Sequence, residues 1–591
     1  MTTHHRTTAW IFGLMLIAAT LPYQIAMVVL PSPTFLNELA AAIGWLSLTI
    51  VAFKNAPATR IGTPITISLV AIFFLMIVIS VHALSGHVSN WSTALHWLFF
   101  LTTAILCLLT GNHLAQGQNA TIWVDQLAFA LICGAILAFA AEISQYLQLE
   151  VNPFFISPLN EAGRIYGNMR QPNHMATFLC MGIVASGWLF YRKKIGLFAT
   201  LLLLTVIIIG IVLTSSRTGI ITLATLIFIG IIINRRQKNN LLWLFCLFAL
   251  VPLSTWALTI IAQHQIYDYY GASRWIETIK NPIENTGTRI ELWKNALEIL
   301  RKNWMIGTGF GQFQFYYLLS NVPIEFPVAF NNAHLLPLQI AAEFGLPVAV
   351  VFFGLLLAAT YLSTGAVKNP IGLTASLLAM PIFIHSMFEF PLWYLYFLLP
   401  TAFLFGLFLG SASIDAHQPN KNTPKGHVAI NRIAPAFGGV LILFTLIACI
   451  HYLTLAAIYK PGGAGDSIAE RRKTANNAFI FKSWVANSML TSSLLDAPTD
   501  DEARAMLPDF DRAARFNMDQ LFLYRYTLIL TLSGDIERAK RVAYALGLQH
   551  SPFIIKLKKY SENRPEKAFK ELSEFISNPT ELKISAKDFP K

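Results

Sequence analysis

Apolar segments long enough to cross a bilayer recur along most of this chain. A membrane-spanning helix needs roughly 20 mostly apolar residues, and this 591-residue sequence, 55% hydrophobic and 13% charged, offers thirteen such segments. They lie near residues 10–30, 36–53, 64–84, 93–110, 121–143, 174–191, 195–213, 219–234, 241–261, 346–364, 371–388, 392–410 and 433–458. Because a backbone in lipid must satisfy its own hydrogen bonds, the sequence predicts an all-α polytopic membrane protein with about thirteen transmembrane helices.

The basic residues predict how these helices are oriented. The formal net charge is +12, and Lys and Arg cluster at the ends of apolar segments. Alternate connections hold them, at Lys54 and Arg60, 192–194, 235–238, Lys368 and 421–432. The positive-inside rule places these connections in the cytoplasm. Membrane topology therefore explains the charge better than a nucleic-acid partner does. The first apolar run lacks a small-residue cleavage site, so we expect it to be a retained span.

Two polar stretches fall on the opposite, non-cytoplasmic face. About seventy polar and amphipathic residues run from Gln263 to Asn332, and a long polar segment of helical pattern follows Tyr459. In that segment Gly534-Asp535 separates two amphipathic runs, which loosely resembles a tetratricopeptide helical hairpin. We therefore divide the chain into N-terminal transmembrane helices (1–262), a large insert (263–345), C-terminal transmembrane helices (346–458) and a helical domain (459–591).

The insert contains a segment with the pattern of an amphipathic helix. Thr288-Arg289-Ile290-Glu291 has the form of a capping box, which opens helices, and the apolar residues from Ile290 to Trp304 repeat on one face. We expect a helix that lies flat on the membrane surface. Arg289 would occupy its first turn, where a cation opposes the helix dipole. It therefore has either an ion-pair partner such as Glu291 or a functional role.

The end of the insert carries a candidate catalytic histidine. Asn331-Asn332-Ala333-His334 precedes an apolar run that closes at Gly345. An asparagine N-cap and a glycine C-cap predict a short helix whose first turn carries His334. Buried histidines at helix starts are usually structural, but a helix N-terminus also favours a nearby anion. His334, with Asn332 beside it, is therefore a candidate functional group.

Two further polar clusters lie where apolar segments meet the same face. Their members are Arg164, Arg170, Gln171, Asn173 and His174 at the start of one span, and His385, Glu389, Tyr394 and Tyr396 around the Pro391 break between two others. The first cluster could simply cap the helix that follows, with Pro172 in its first turn. Tyrosines are also common at membrane interfaces. Polar and ionisable groups this close to the bilayer core are nevertheless candidate functional positions.

The charges on this face indicate an anionic substrate. Arg217 follows Ser215-Ser216 between two apolar helices and joins Arg164, Arg170 and Arg289 there, against the positive-inside bias. Arginine is suited to phosphate, and a diphosphate departs readily once its charge is neutralised. One base would then suffice to deprotonate an incoming hydroxyl. The sequence shows no metal-ligand spacing such as HExxH or paired CxxC, so we expect neither a metal nor a cofactor.

Several of these motifs resemble a known family. The O-antigen ligase/polymerase (Wzy_C) superfamily is similar to this chain at Gly287–Trp293, Ile306–Gly311, Asn332–His334 and Glu343–Gly345. Within it, the bacterial protein O-oligosaccharyltransferases resemble the chain at Gly163–His174 and Phe390–Tyr394. Such glycosyltransferases move a glycan from undecaprenyl diphosphate to a hydroxyl acceptor in the periplasm, without metal or ATP. In the protein-directed branch the acceptor is typically a Ser or Thr of a pilin or another exported protein.

The resemblance implies a GT-C-like, multi-pass protein of the inner membrane, with its insert, active site and C-terminal domain in the periplasm. It implies that His334 is the essential histidine, Gln171 the important glutamine and Tyr394, or else Tyr396, the important tyrosine. Positions expected to hold the diphosphate are Arg170, Arg217 and Arg289, with Arg164 as a further candidate. Possible supporting residues are Asn173, His174, Asn332, His385 and Glu389.

The acceptor and the class of protein leave alternatives. We favour transfer to a protein, because a helical C-terminal domain can hold a protein acceptor whereas the bilayer itself can recruit a lipid. An O-antigen ligase acting on lipid A–core, or a polymerase extending the glycan, is the close alternative. A non-enzymatic glycolipid flippase is the remote one, since it should carry charges along a path through the bilayer. Here the charges within the spans are few, with Asp125 near the start of one helix and Glu142 near the end.

Overall fold

The computed structural model of the chain is helical, with no β-strand among the residues it describes. Those residues are 3–54, 59–88, 91–159, 164–236, 284–319, 330–412, 427–459 and, apart from short gaps, 470–485 and 499–589. The predicted span at 241–261, the first part of the insert (263–283), and Lys238, Lys421 and Lys425 lie outside them.

Each of the other twelve predicted spans overlaps an observed helix. The first eight helices are α1 (Thr3–Thr20), α2 (Phe35–Phe53), α3 (Thr63–Leu84), α4 (Trp91–Gln116), α5 (Ala120–Tyr146), α6 (Pro172–Tyr191), α7 (Leu197–Leu213) and α8 (Arg217–Arg236). The insert contributes α9 (Glu284–Lys302), α10 (Phe313–Leu319) and α11 (Leu336–Phe344). The later apolar helices are α12 (Leu346–Leu362), α13 (Pro370–Ser386), α14 (Leu395–Ala412) and α15 (His427–Tyr459).

Seven helices of the described chain are long and apolar enough to cross a membrane, namely α2 to α6, α14 and α15. Five further apolar helices are shorter, namely α1, α7, α8, α12 and α13. The chain is therefore a multi-pass membrane protein. The total of thirteen spans and the orientation of the helices stay predictions.

The predicted first span (10–30) is wrong in its second half. Helix α1 ends at Thr20, a single 3-10 turn covers Leu21–Tyr23, and no further helix begins before Phe35. Pro22 interrupts the apolar run, and Pro31 and Pro33 follow its end. Proline lacks the backbone N–H that an α-helix needs, so hydrophobicity alone overestimated the length of this helix.

The helices form two compact units. The first comprises Met1–Ile72, Phe100–Pro282 and Gly354–Leu446. Within it α5 packs against α1, α6 and α7, and α13 packs against both α6 and α14. The packing of α13 on α6 matters most for function, because each of these helices carries one of the two polar clusters predicted in this region.

The second unit comprises Phe73–Phe99, Ile283–Phe353 and Ile447–Lys591. Its C-terminal helices are α16 (Asp500–Ala513), α17 (Gln520–Leu532), α18 (Ile536–Leu548), α19 (Phe553–Glu562) and α20 (Lys567–Ser577). As predicted, Gly534 separates the α17 and α18 runs, with a positive φ of 88°. Buried residues of the insert, such as Leu292 and Phe313, share one hydrophobic cluster with C-terminal residues such as Phe510 and Phe522. The tetratricopeptide likeness stays a prediction.

Helix α9 differs from its prediction in start and in buried face. It begins at Glu284, so Thr288 lies inside the helix and the predicted capping box does not open it. The buried positions include Leu292, Ala296 and Ile299, whereas three residues of the predicted apolar face are about half exposed, namely Ile290, Leu297 and Trp304. The helix has two apolar faces. The face that contains the small Ala296 packs into the core. The other side stays a predicted membrane-facing surface.

Candidate active site

The N-terminus of α6 is built as the sequence predicts. Gln171 is the N-cap, and its side-chain oxygen accepts a hydrogen bond of 2.7 Å from the backbone N of His174. Pro172 occupies the first helical position, where a missing N–H costs nothing. Arg170, just before the cap, has a left-handed backbone with φ of 57°. The chain thus turns sharply here and presents the Gln171, Asn173 and His174 side chains close together.

Glu389 joins this helix start to the end of α13. Its Oε2 accepts from Gln171 Nε2 at 2.5 Å and lies 3.1 Å from Nε2 of His385. Its other oxygen accepts from the side-chain amide of Asn173. A carboxylate that receives donors from several directions is held in one orientation. Residues that the sequence offered as two separate clusters therefore form a single one.

Two buried hydroxyls extend this cluster. The Ser216 hydroxyl donates to Asn173 Oδ1 at 2.6 Å. The Thr177 hydroxyl donates to the Asn173 carbonyl at 2.8 Å and lies 2.9 Å from Nδ1 of His385. Neither residue was a sequence candidate, although Ser216 stands in the turn singled out for Arg217. The sequence did not single out these residues, because most hydroxyls on apolar helices bond only to their own backbone.

Both candidate tyrosines contact His174. The Tyr396 hydroxyl lies 3.0 Å from Nδ1 of His174, and Tyr396 is 3% exposed. The Tyr394 ring meets the His174 ring edge-on, with centroids 4.8 Å apart. Burial, together with the nearby carboxylates of Glu38 and Glu389, raises the pKa of Tyr394. Tyr394 is therefore a neutral phenol rather than a phenolate at physiological pH.

Arg170 and Arg164 are engaged with backbone carbonyls. Arg170 donates from Nη1 to Ala26 O at 2.9 Å and from Nη2 to Asn37 Oδ1 at 2.6 Å. Burial lowers the pKa of Arg170. Arg164 donates from Nη2 to the Thr214 carbonyl at 3.3 Å. These two arginines hold loops of the first unit in place, and their predicted contact with a diphosphate stays a prediction.

Arg217 occupies the first position of α8. The residue two before it, Ser215, has a left-handed φ of 53°, and the Ser216 hydroxyl accepts from Gly219 N at 3.0 Å. The turn is thus closed by local contacts, and the same Ser216 hydroxyl reaches Asn173. We call the group around Glu389 the Glu389 cluster; its members are Gln171, Asn173, His174, Thr177, Ser216, His385 and Glu389. Arg217 therefore directly follows Ser216, a member of this cluster.

In the second unit, His334 does not lie in a helical turn. The helix predicted to carry it begins at Leu336, and its N-cap, Leu335, makes no side-chain cap bond. Asn332 instead accepts through Oδ1 from the backbone N of His334 at 2.7 Å. His334 has φ of 52° and is partly buried. The N-cap prediction was therefore wrong, because the asparagine side chain closes a local turn that ends before the helix starts.

The predicted Gly345 C-cap is confirmed, and it belongs to a tight backbone contact with the 307–311 loop. Gly307 has φ of 77°, and a Cβ there would lie 2.3 Å from the Glu343 carbonyl oxygen. Gly309 N donates to that same carbonyl at 2.9 Å. The glycine-rich motif is thus required for close packing.

Glu343 is buried beneath this loop. One carboxyl oxygen accepts from Phe313 N at 3.3 Å, and burial raises the pKa of Glu343 to about 7. In the same unit, Arg289 is partly buried on α9, and Glu291 is 9% exposed.

The fold and these residues define the class of the protein: a helical, multi-pass membrane protein with polar clusters at helix ends. Family models make the class specific. Residues 201–353 match the O-antigen ligase family (Wzy_C), residues 165–190 match a protein glycosylation ligase family, and residues 373–548 match the C-terminal part of a virulence factor membrane-bound polymerase family. These matches confirm the resemblance inferred from the motifs.

Two curated relatives from Acinetobacter baylyi are O-oligosaccharyltransferases. The chain is 26% identical to a general O-oligosaccharyltransferase over 420 residues, which is 70% of this chain and 71% of the relative. It is 23% identical to a ComP-specific O-oligosaccharyltransferase over 377 residues, 64% of this chain and 66% of that relative. The chain is therefore a relative of O-oligosaccharyltransferases.

Proposed function

We propose that this protein transfers an oligosaccharide en bloc from undecaprenyl diphosphate to a Ser or Thr hydroxyl of an exported protein, such as a type IV pilin. The reaction takes place on the periplasmic face of the inner membrane. The acceptor hydroxyl attacks the first sugar carbon, and the lipid diphosphate leaves with the electrons of the broken bond. The hydroxyl proton passes to a base or to solvent.

One observation carries the proposal. The protein glycosylation ligase family matches residues 165–190. This segment supplies Gln171, Asn173 and His174 to the Glu389 cluster. A segment that matches a protein glycosylation ligase family thus supplies several residues of this polar cluster.

His334 activates or orients the acceptor hydroxyl. It is partly buried and held in a left-handed backbone that only a few residue types tolerate. A strained conformation of this kind persists where the surroundings determine it, and such positions cluster at functional sites. A base within hydrogen-bond reach of the hydroxyl contributes typically ~10²–10⁴ in rate.

Arg217 and Arg289 neutralise the departing diphosphate. A diphosphate oxyanion is stabilised by planar guanidinium donors, and Arg217 at the start of α8 also adds its charge to the N-terminal end of that helix dipole. Arg164 and Arg170 act mainly by holding the loops around the Glu389 cluster, because their guanidinium groups already donate to internal carbonyl and amide oxygens.

Ligation to lipid A–core, or polymerisation of the glycan, is the second candidate. Two family matches favour it: the O-antigen ligase match over residues 201–353 and the polymerase match over residues 373–548. Both of the curated relatives named above favour the protein acceptor.

Reconstitution separates these functions. Purified protein in lipid vesicles is given an undecaprenyl-diphosphate oligosaccharide together with a pilin, with lipid A–core, or with neither acceptor. We expect glycan on the pilin only, read by intact-protein mass spectrometry. Product on lipid A–core alone, or a lengthened donor glycan without acceptor, would establish the second candidate. Comparing exported proteins from cells with and without the gene then identifies the natural acceptor residue and sugar.

A further inference from the structure

Three potential metal ligands meet between the start of α6 and the end of α13. One ring nitrogen each from His174 and His385 and one carboxylate oxygen from Glu389 lie within 4.8 Å of one another. His385 is fully buried, His174 is 3% exposed and the Glu389 side chain is 13% exposed. Exposed acidic clusters are common without a metal, but a buried group of two imidazoles and a carboxylate is not explained by solvation.

The hydrogen bonds of His385 define which of its nitrogens is available. The Thr177 hydroxyl lies 2.8 Å from the Asn173 carbonyl and 2.9 Å from Nδ1 of His385, so Nδ1 is engaged within the protein. The other ring nitrogen, Nε2, faces Glu389 Oε2 at 3.1 Å. The imidazole nitrogen and the carboxylate oxygen are thus placed where both could bind one cation.

His174 is oriented in the same way. Its Nδ1 faces the Tyr396 hydroxyl at 3.0 Å, which leaves the opposite edge of the ring for a ligand. Both oxygens of Glu389 are in turn held by the Gln171 and Asn173 amides. Metal-binding histidines almost always engage their second nitrogen with a polar partner, and metal-binding carboxylates are likewise hydrogen-bonded. All three side chains have such partners here.

We propose that His174, His385 and Glu389 bind one divalent transition-metal ion of the zinc or manganese class. Two imidazole nitrogens and a carboxylate oxygen suit these ions. Neighbouring ligands of a tetrahedral zinc lie roughly 3.3 Å apart, given bonds of about 2.0–2.1 Å, close to the His385–Glu389 distance of 3.1 Å. The ion fastens the end of α13 to the start of α6 and fixes the carboxylate that holds Gln171. The metal site lies in the cluster that supports the proposed function, but metal binding can be measured without the transfer reaction.

The test measures metal, not transfer. Full-length protein is purified in detergent with an affinity tag that contains no histidine, stripped with a chelator, loaded with Zn²⁺ and exchanged into metal-free buffer. Inductively coupled plasma mass spectrometry should find one zinc ion per wild-type chain, and none above background for His385→Ala or Glu389→Gln. Co²⁺ should give visible absorption bands with wild type that both variants lack.

A conservative variant distinguishes a loss of metal binding from misfolding. Thr177→Val keeps the side-chain shape but removes the hydroxyl that orients His385, and loss of such a partner typically weakens metal binding about 10–100-fold. Thr401→Val is its matched control, because that buried hydroxyl only donates to its own helix at Phe397. Wild type that retains no zinc, or zinc retained equally by wild type and His385→Ala, overturns the proposal. Both outcomes are read from the bound metal alone, whatever the outcome for glycan transfer.

Discussion

The side-chain amide of Gln171 donates to Oε2 of Glu389 across 2.5 Å, although the two residues stand 218 positions apart. The oxygen of the same amide accepts from the backbone N of His174. Both ends of the amide are thus engaged within the protein. The resemblance implied a catalytic role for Gln171, and the structure shows that Gln171 also anchors Glu389 to the cap of α6.

Exchange of these two side chains tests the contact. Gln171→Glu alone should place two carboxylates against each other and lower the thermal stability in detergent. Gln171→Glu combined with Glu389→Gln restores one amide–carboxylate pair and should recover part of the loss. For residues in contact, the coupling energy is typically ~0.5–3 kcal/mol. Purely additive losses in the four-variant cycle would contradict the arrangement.

Substitution of His334 should remove transfer without unfolding the protein. We expect His334→Asn to lower the transfer rate by ~10²–10⁴, measured with purified protein, while asparagine tolerates the left-handed backbone. His550→Asn is the matched control, since that exposed histidine has a similar φ of 47°. Transfer at the wild-type rate by His334→Asn would refute the role.

The arginines should separate into two groups. Arg217→Gln and Arg289→Gln should lower transfer from the lipid diphosphate more than Arg170→Gln does. Arg170→Gln should lower the melting temperature, because Ala26 O and Asn37 lose a donor and each lost hydrogen bond to a charged group costs ~1.5–3 kcal/mol. Paired melting and transfer assays measure both effects. The reverse ordering would contradict the assignment.

Gly307→Ala should destabilise the second unit. The new Cβ would overlap the Glu343 carbonyl, and the backbone has φ of 77°. Overpacking costs ~1–3 kcal/mol, and a left-handed backbone adds ~1–2 kcal/mol. Gly547→Ala is the control, because nothing lies within 4 Å of a Cβ at that helical position. Limited proteolysis and thermal melting should show a loss for the first variant only.

Glu343 should make stability depend on pH. Its pKa is raised to about 7 in the folded protein, so the folded state holds the proton more tightly than the unfolded state does. The resulting stabilisation is fully present below the unfolded pKa, near 4.5, and is lost as the pH rises through about 7.

Glu343→Gln keeps the shape of the neutral acid and removes its titration. Melting temperatures recorded from about pH 5 to pH 8 should fall less steeply for this variant than for wild type. Glu298→Gln is a suitable control, since that carboxylate is on the surface of α9 and pairs with Arg301. Parallel curves for wild type and Glu343→Gln would show that Glu343 does not carry the effect.

Local patterns predicted several features correctly. Twelve of the thirteen apolar runs overlap helices, the thirteenth lying outside the described residues, and Pro172 stands in the first turn of α6 as expected. The helix-cap predictions failed at two residues whose side chains can serve either as a cap or in another local structure. Thr288 lies inside α9, and Asn332 closes a turn before α11 begins. In each case the residue type is one that caps helices, but the residue does not occupy a cap position.

The sequence by itself determined the membrane class, the family resemblance and most of the helices, because hydrophobicity, capping and short motifs involve residues a few positions apart. Only the tertiary structure decided that Glu389 accepts from Gln171 and Asn173, that Ser216 and Thr177 join them, and that His174 and His385 meet. Those contacts join residues that are up to 218 positions apart. They depend on how α6 packs against α8 and α13, and no periodicity or short motif encodes that packing.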